Sequence, residues 1–171
     1  IVRVNTTLGK VHTEQPSLTV VAKPPVPDFK IEDGDTKLQI VSAELHIDVN
    51  KQSGALTFLR PDGSVITRER DDQPADLKQV VISDAPTYEV KQNFTLSEDE
   101  SLYGLGQYDQ RYMDYRGQEV LMVQTNIGIV VPLLISTNRY GIMWDIYSKS
   151  IFKDDANGAS FWAESAPAGV D

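Results

Sequence analysis

Histidine and cysteine, which often carry acid–base, nucleophilic or metal chemistry, are scarce in this sequence. The chain has two histidines, His12 and His46, and no cysteine. The histidines lie in different early segments, and neither has a serine or carboxylate at a spacing typical of a catalytic site. His46 falls on the polar side of a predicted strand, which is typical of a surface residue. We therefore predict no catalytic residue and no metal site.

Carboxylates are abundant, with 25 aspartates and glutamates in total, but their grouping is typical of solvated loops. The three clusters, at residues 71–72, 98–100 and 154–155, all lie among predicted loop residues. Residues 154–158 lack the alternating oxygens and the closing glutamate of a calcium-binding loop. We therefore predict no cofactor.

The composition indicates an ordered globular protein. The formal net charge is -9 and no run of lysine or arginine forms a basic patch, so the sequence argues against a nucleic-acid partner. The longest apolar run, residues 127–135, is less than half as long as a membrane span, so we predict no membrane span. The chain starts at Ile1 with no visible signal peptide, which we interpret as a processed or trimmed start. We favour a periplasmic or secreted protein.

Alternation of apolar and polar residues with a period of two, typical of β-strands, recurs along most of the chain. In residues 44–50 it places Ile47 and Val49 on one face, and residues 54–60 repeat the pattern. Residues 51–54 supply a turn that ends in glycine, so the two runs predict a hairpin.

Two later runs, residues 120–123 and 129–135, are apolar on both faces, which predicts strands that are covered on both sides. Pro132 cannot donate a ladder hydrogen bond and predicts an edge or an irregularity. Gly104 and Gly106 predict a bulge or a close backbone approach.

These strands and turns predict an all-β fold, a large antiparallel β-sandwich with few or no helices. No repeat or low-complexity tract divides the chain, so we expect a single domain over residues 1–171.

Five short motifs follow one another between residues 102 and 142. They are Leu102-Tyr103-Gly104-Leu105-Gly106-Gln107, Tyr115-Arg116-Gly117, Gln124 with Asn126, Val131-Pro132, and Tyr140-Gly141-Ile142. In order and spacing they resemble the N-terminal domain of family-31 glycoside hydrolases. The resemblance implies a galactose-mutarotase-like β-sandwich packed against a (β/α)8 barrel.

The resemblance also implies that catalysis depends on residues outside this chain. The family's aspartate nucleophile, in a W-x-D-M-N strand, and its aspartate acid/base both belong to the barrel. Trp144-Asp145-Ile146 has the wrong spacing, so Asp145 is assigned no catalytic role. The chain is expected to be the non-catalytic N-terminal domain of a retaining α-glycosidase of the α-glucosidase or α-xylosidase type, inactive alone.

In the family, the loop that corresponds to residues 124–128 reaches over the barrel mouth and shapes the substrate site. The resemblance therefore assigns Gln124, Thr125 and Asn126 to substrate binding, and amide groups suit sugar hydroxyls. The alternative is that both amides simply hold the turn. Ile127 stands where the family often has threonine, so the loop is expected to be repacked.

The expected partners are the chain's own downstream barrel and an oligosaccharide substrate. Docking predicts a large exposed apolar face, lined by Phe161 and Trp162 or by the faces of the 120–123 and 129–135 strands.

The alternative function is a stand-alone carbohydrate-binding module. Tyr108, Tyr112 and Tyr115 would then form an aromatic platform for sugars, although we favour packing of these rings on the sandwich edge. An aldose mutarotase is suggested by fold analogy alone and ranks last, because that chemistry needs a positioned histidine and carboxylate.

Overall fold

The computed structural model describes residues 1–7 and 16–166, which form thirteen strands and no helix. The strands are β1 (Phe29–Asp33), β2 (Lys37–Ser42), β3 (His46–Asn50), β4 (Leu56–Leu59), β5 (Val65–Glu69), β6 (Ala75–Ile82), β7 (Ala85–Thr95), β8 (Leu102–Gln107), β9 (Glu119–Met122), β10 (Ile129–Ser136), β11 (Tyr140–Met143), β12 (Ser150–Asp155) and β13 (Gly158–Ala163). None of the described residues belongs to a helix long and apolar enough to cross a membrane.

The strands form two antiparallel sheets. Ten strands form the larger sheet, in the order β1-β2-β3-β4-β5-β7-β13-β12-β9, with β6 also paired to β7. The smaller sheet has the order β11-β10-β8. The expected all-β antiparallel sandwich is therefore confirmed.

The predicted hairpin between residues 44 and 60 is also confirmed, because β3 and β4 pair in antiparallel register. Gly54 has a φ of 78° in the connecting turn, a left-handed conformation that favours glycine. The alternation places Ile47 on the buried face, where it is 8% exposed.

The core lies between the two sheets. Side chains that are almost fully buried come from both layers: Leu102, Leu105 and Leu134 from the smaller sheet, and Val90, Phe152 and Phe161 from the larger one. The Phe161 ring is central, with its centroid 5.3 Å from that of Trp144 and 5.2 Å from that of Phe152. Such aromatic packing adds about 1 kcal/mol per pair beyond the burial of apolar area.

The glycines of β8 allow an unusually close approach to β10, as predicted. Gly104 and Gly106 have φ values of 102° and 112°. A Cβ atom on Gly106 would lie 1.9 Å from the Ile129 carbonyl oxygen, so no larger residue fits there without a backbone shift. The register between β10 and β8 shifts between Val130 and Leu134, which confirms the irregularity predicted around Pro132.

The prediction that β9 and β10 are covered on both sides is wrong. In β9, Val120 and Met122 are buried, whereas Leu121 is 52% exposed. In β10, Leu134 is buried and Ile135 is 49% exposed. Both strands turn one face into the sandwich, and within residues 1–7 and 16–166 no third layer covers the other face.

Candidate functional site

The loop at residues 123–128 joins the two sheets of the sandwich. It leaves β9 at one edge of the larger sheet and enters β10, the central strand of the smaller sheet. The loop therefore lies where the two sheets meet, and Gln124, Thr125 and Asn126 are exposed there.

Two of the three predicted binding residues also hold the turn. The Gln124 Oε1 atom accepts a hydrogen bond of 3.1 Å from the Val130 N–H. The Thr125 N–H donates to the Gly128 carbonyl oxygen at 3.1 Å, and the Thr125 hydroxyl oxygen accepts from the Ile127 N–H at 3.4 Å. The side chains of Gln124 and Thr125 thus fix the loop conformation through their acceptor atoms.

Tyr108 packs against the 123–128 loop at Gly128. Gly128 is buried, and a Cβ atom placed there would lie 3.6 Å from Cδ1 of Tyr108. The Tyr108 hydroxyl donates a 2.8 Å hydrogen bond to the Leu105 carbonyl oxygen. Burial raises the pKa of Tyr108 to about 12, so the hydroxyl keeps its proton and remains a donor at neutral pH.

The side chains at the tip of the loop, Asn126 and Ile127, do not take part in holding the turn. Within the described part of the chain, the Asn126 side chain makes no hydrogen bond, and Ile127 is 76% exposed. The loop therefore presents one unused amide and one apolar side chain to the outside. Such a fixed loop loses little conformational entropy when it binds a ligand.

An apolar surface continues from this loop across the smaller sheet. We call it the outer apolar face; its members are Tyr103, Ile129, Val131, Ile135 and Met143, which are 36–53% exposed. Ile135 lies opposite Tyr103 and Leu133 lies opposite Met143, which places these four residues on one side; Ile129 and Val131 follow the same alternation of exposure along β10. Contiguous apolar surface of this kind marks interaction sites in soluble proteins.

The two aromatic residues predicted for a docking face lie elsewhere. Phe161 is fully buried in the core, so its assignment to that face is wrong. Trp162 has the opposite orientation along β13 and lies on the far side of the larger sheet, half-buried. The Lys149 ammonium group lies 5.7 Å from the centroid of the Trp162 ring. Only the predicted faces of the 120–123 and 129–135 strands are exposed as expected.

The three tyrosines do not share one exposed surface. Tyr115 is 6% exposed within the core, and Tyr108 is half-buried beneath the candidate loop. Tyr112 is 46% exposed. The packing interpretation is thus confirmed for Tyr115 and Tyr108, and one ring remains available to solvent.

Asp145 follows β11 and accepts hydrogen bonds from the Tyr147 hydroxyl at 2.8 Å and the Thr19 hydroxyl at 3.2 Å. Burial by itself would raise the pKa of Asp145, but hydrogen bonds from Ser17, Tyr147 and Thr19 outweigh that effect and lower it. Asp145 is therefore ionised at neutral pH rather than poised to donate a proton.

The described residues contain no group of three histidine, aspartate or glutamate side chains that could hold a metal ion. Of the two histidines, His46 is half-buried on β3, and His12 lies outside the described residues.

A buried polar cluster, which the sequence did not reveal, holds the β10–β11 hairpin beside the start of β8. The Glu100 carboxylate, 4% exposed, accepts hydrogen bonds from the Ser136 hydroxyl at 2.6 Å, from the Tyr140 hydroxyl and from the Ser97 N–H. The Asn138 amide also donates to it at 3.2 Å. Each of these partners is a neutral donor, and together they satisfy both buried carboxyl oxygens of Glu100.

A second cluster explains the Arg116-Gly117 motif. The Arg116 Nε atom lies 3.0 Å from Oδ2 of Asp154, and the Gly117 N–H donates to the same oxygen at 2.7 Å. Gly117 has a φ of 69°, which suits glycine and directs its N–H towards this carboxylate. The motif therefore fastens the loop between β8 and β9 to Asp154 on β12.

Comparison with known proteins identifies a family. The family model described as the glycosyl hydrolase 31 N-terminal galactose mutarotase-like domain matches residues 1–152. An alpha-xylosidase from Saccharolobus solfataricus is 31% identical over 140 residues, which cover 77% of this chain and 18% of the relative.

Solved structures agree with that assignment. The GH31 alpha-xylosidase of Xanthomonas citri superposes with a TM-score of 0.77 and 26% identity, over 84% of this chain and 15% of that protein. A GH31 dextranase from Flavobacterium johnsoniae gives a TM-score of 0.70 at 22% identity, over 91% of this chain and 20% of that protein, and supports the fold alone. The chain thus spans a fifth or less of each of these longer proteins, and it belongs to the glycosyl hydrolase 31 N-terminal galactose mutarotase-like domain family.

Proposed function

We propose that this domain docks on the (β/α)8 barrel of a retaining α-glycosidase of the α-glucosidase or α-xylosidase type and lends the 124–128 loop to the substrate site. The domain itself performs no chemistry. The observation that carries the proposal is the position of the loop: a fixed turn with a free amide borders the outer apolar face.

The outer apolar face supports the docking part of the proposal. Ile129, Val131 and Ile135 are each about half exposed on one sheet face. Exposed apolar area of this kind is costly in water and is typical of a surface that another domain covers. The matched relatives are several times longer than this chain, so they contain further segments that could provide such a cover.

The hydrogen bonds of the loop support a division of roles among the predicted binding residues. Gln124 and Thr125 use acceptor atoms to hold the turn, and the Gln124 Nε2 group and the Thr125 hydroxyl proton remain able to donate. Asn126 has both its donor and acceptor groups unused within the described residues. Asn126 is therefore the principal sugar contact, and Gln124 and Thr125 are secondary contacts.

Kinetics of the longer enzyme test the loop. Asn126→Ala should raise KM for an α-glycoside about fivefold, because one hydrogen bond to a sugar hydroxyl is worth on the order of 1 kcal/mol. The matched control is Asn157→Ala, at an exposed position in the β12–β13 turn, which should leave KM unchanged. Equal kinetics for both variants and the parent would contradict a role for the loop in substrate binding.

Association tests the docking face. Val131→Asp places a charge on the outer apolar face and should abolish co-purification of this chain with a separately produced barrel segment. Val81→Asp is the matched control, since Val81 on β6 is 69% exposed and lies off that face. Loss of binding in both variants, or in neither, would exclude this face as the docking surface.

The carbohydrate-binding module is the second candidate, favoured only by the exposed ring of Tyr112. Titration of the 171-residue chain with oligosaccharides such as isomaltotriose separates the two candidates. We expect no saturable binding below about 1 mM, because one ring and one amide provide little affinity. Saturable binding that Tyr112→Ala abolishes would favour the binding module instead.

A further inference from the structure

Strand β1 forms one end of the ten-stranded sheet, and among residues 1–7 and 16–166 its only pairing partner is β2. Its outer side is unpaired within those residues, and all five of its residues are exposed. Phe29 and Ile31 are 49% and 59% exposed. An open edge with apolar side chains is a template for pairing with another strand.

The hydrogen-bond pattern shows which backbone groups of β1 are free. The Gly34 N–H donates to the Lys37 carbonyl oxygen at 3.0 Å, and Asp33 lies opposite Leu38. Antiparallel pairs alternate between bonded and non-bonded pairs, so Glu32 directs its N–H and C=O groups towards β2. By the same alternation, Phe29, Ile31 and Asp33 direct theirs outwards.

The Ile31 side chain continues an apolar row from the larger sheet, and no strand of the described part of the chain lies beyond it. Ile31 lies opposite Ile40, Ile40 opposite Ile47, and Ile47 opposite Phe58. Exposure rises along this row from 8% at Ile47 to 59% at Ile31. A further strand beside β1 would continue the row and bury Ile31.

Two charges on the other face of β1 define which strand fits. Lys30 and Glu32 make no ion pair with any described residue, whereas the nearby Lys37 and Lys51 pair with Asp48 and Asp33. In an antiparallel pair of two β1 strands centred on Ile31, Lys30 faces Glu32 of the partner subunit. The symmetry produces this opposite-charge contact twice.

We propose that two copies of this chain associate through antiparallel pairing of their β1 strands, centred on Ile31. The two Ile31 residues exchange two backbone hydrogen bonds. Phe29 of each copy pairs with Asp33 of the other, and each of these two pairs exchanges two more. Charges on an edge strand normally oppose pairing. In this register they attract, so the same two residues select a second copy over an unrelated strand.

Sedimentation velocity of the 171-residue chain between about 1 μM and 1 mM tests the proposal. The parent chain should show a concentration-dependent monomer–dimer equilibrium. Lys30→Glu and Glu32→Lys each replace two attractions with two repulsions and should each raise the dimer Kd about tenfold or more. Lys23→Glu and Glu44→Lys make the same changes of charge at exposed sites off β1 and should leave the dimer Kd unchanged.

An equimolar mixture of Lys30→Glu and Glu32→Lys chains provides the decisive measurement. Each variant alone repels itself, but the mixture restores both opposite-charge contacts and should form heterodimers with at least the parent affinity. A mixture as monomeric as its components, or a parent chain that stays monomeric at every concentration, would overturn the proposal.

Ile31→Pro is an independent variant that does not depend on charge. It removes an N–H that points away from β2, so the β1–β2 ladder keeps its hydrogen bonds. The dimer loses both backbone hydrogen bonds between its two central residues. Far-ultraviolet circular dichroism should be unchanged and the dimer should be absent. A dimer that persists in this folded variant would rule out pairing through β1.

Discussion

The two faces of the smaller sheet have similar apolar residues and very different environments. On the inner face Leu102, Leu105 and Leu134 are at most 1% exposed, whereas Val131 and Ile135 on the outer face are about half exposed. The strands are the same, so the difference lies in what covers each face. An apolar strand face therefore indicates that a partner layer is required, but it does not indicate whether the same domain supplies that layer.

The largest expected effect comes from an inner-face truncation. Leu134→Ala should lower the free energy of unfolding by about 3 kcal/mol, because it removes a fully buried side chain and leaves a cavity. Equilibrium denaturation in urea measures the change. A loss below about 1 kcal/mol would mean that the two sheets are not tightly packed at this position.

The β8 backbone approaches β10 closely at Gly106. Gly106→Ala should cost about 2 kcal/mol or more, because the residue has a φ of 112° and a new Cβ would meet the Ile129 carbonyl oxygen. Gly63→Ala is the control: its φ of 84° is similar, but no atom lies within 4 Å of the added Cβ. Urea denaturation should show the smaller loss, about 1 kcal/mol, for the control, and equal losses would exclude the backbone clash.

A buried carboxylate makes the larger sheet sensitive to pH. Burial raises the pKa of Glu69 to about 7, partly offset by hydrogen bonds from the Leu56 N–H and the Gln92 amide. In the unfolded chain the same group titrates near its ordinary value of 4.5. Because the folded state holds the proton more tightly, its stabilising effect is present below pH 4.5 and is lost as pH rises towards 7.

The expected loss of unfolding free energy between pH 4.5 and 7 is on the order of 2 kcal/mol. Glu69→Gln keeps the size of the side chain and an acceptor for the Leu56 N–H, but it does not titrate. Urea denaturation at several pH values should show a flatter profile for this variant than for the parent. Parallel profiles would mean that Glu69 does not titrate in this range.

The smallest expected effect comes from the outer face. Ile135→Ala should change the free energy of unfolding of the 171-residue chain by less than about 1 kcal/mol, because the side chain is already half in water. The neighbouring variant Leu134→Ala provides the contrast on the same strand. A loss as large as that of Leu134→Ala would show that the outer face is covered in this chain too.

The sequence determined the local structure of this protein. Alternation with a period of two predicted the strands, and glycines in turns predicted the hairpins, because both signals depend on neighbouring residues. The motifs from Leu102 to Ile142 identified the family, and the structure explains two of them: Gly104 and Gly106 admit the β10 carbonyl groups, and Arg116 binds Asp154.

Tertiary structure alone decided which apolar faces are buried and which polar groups are used. Phe161 is one of two alternatives that the sequence offers for an exposed docking face, and it lies in the core, because alternation separates two faces without stating which of them meets the other sheet. For Gln124 the sequence leaves open whether the amide contacts a sugar or holds the turn, and the structure shows that it accepts the Val130 N–H, a bond that exists only once the loop is closed. The burial of Phe161 depends on residues far apart in the chain, and the Gln124 hydrogen bond depends on the closed geometry of a turn. Local sequence patterns contain no information about either.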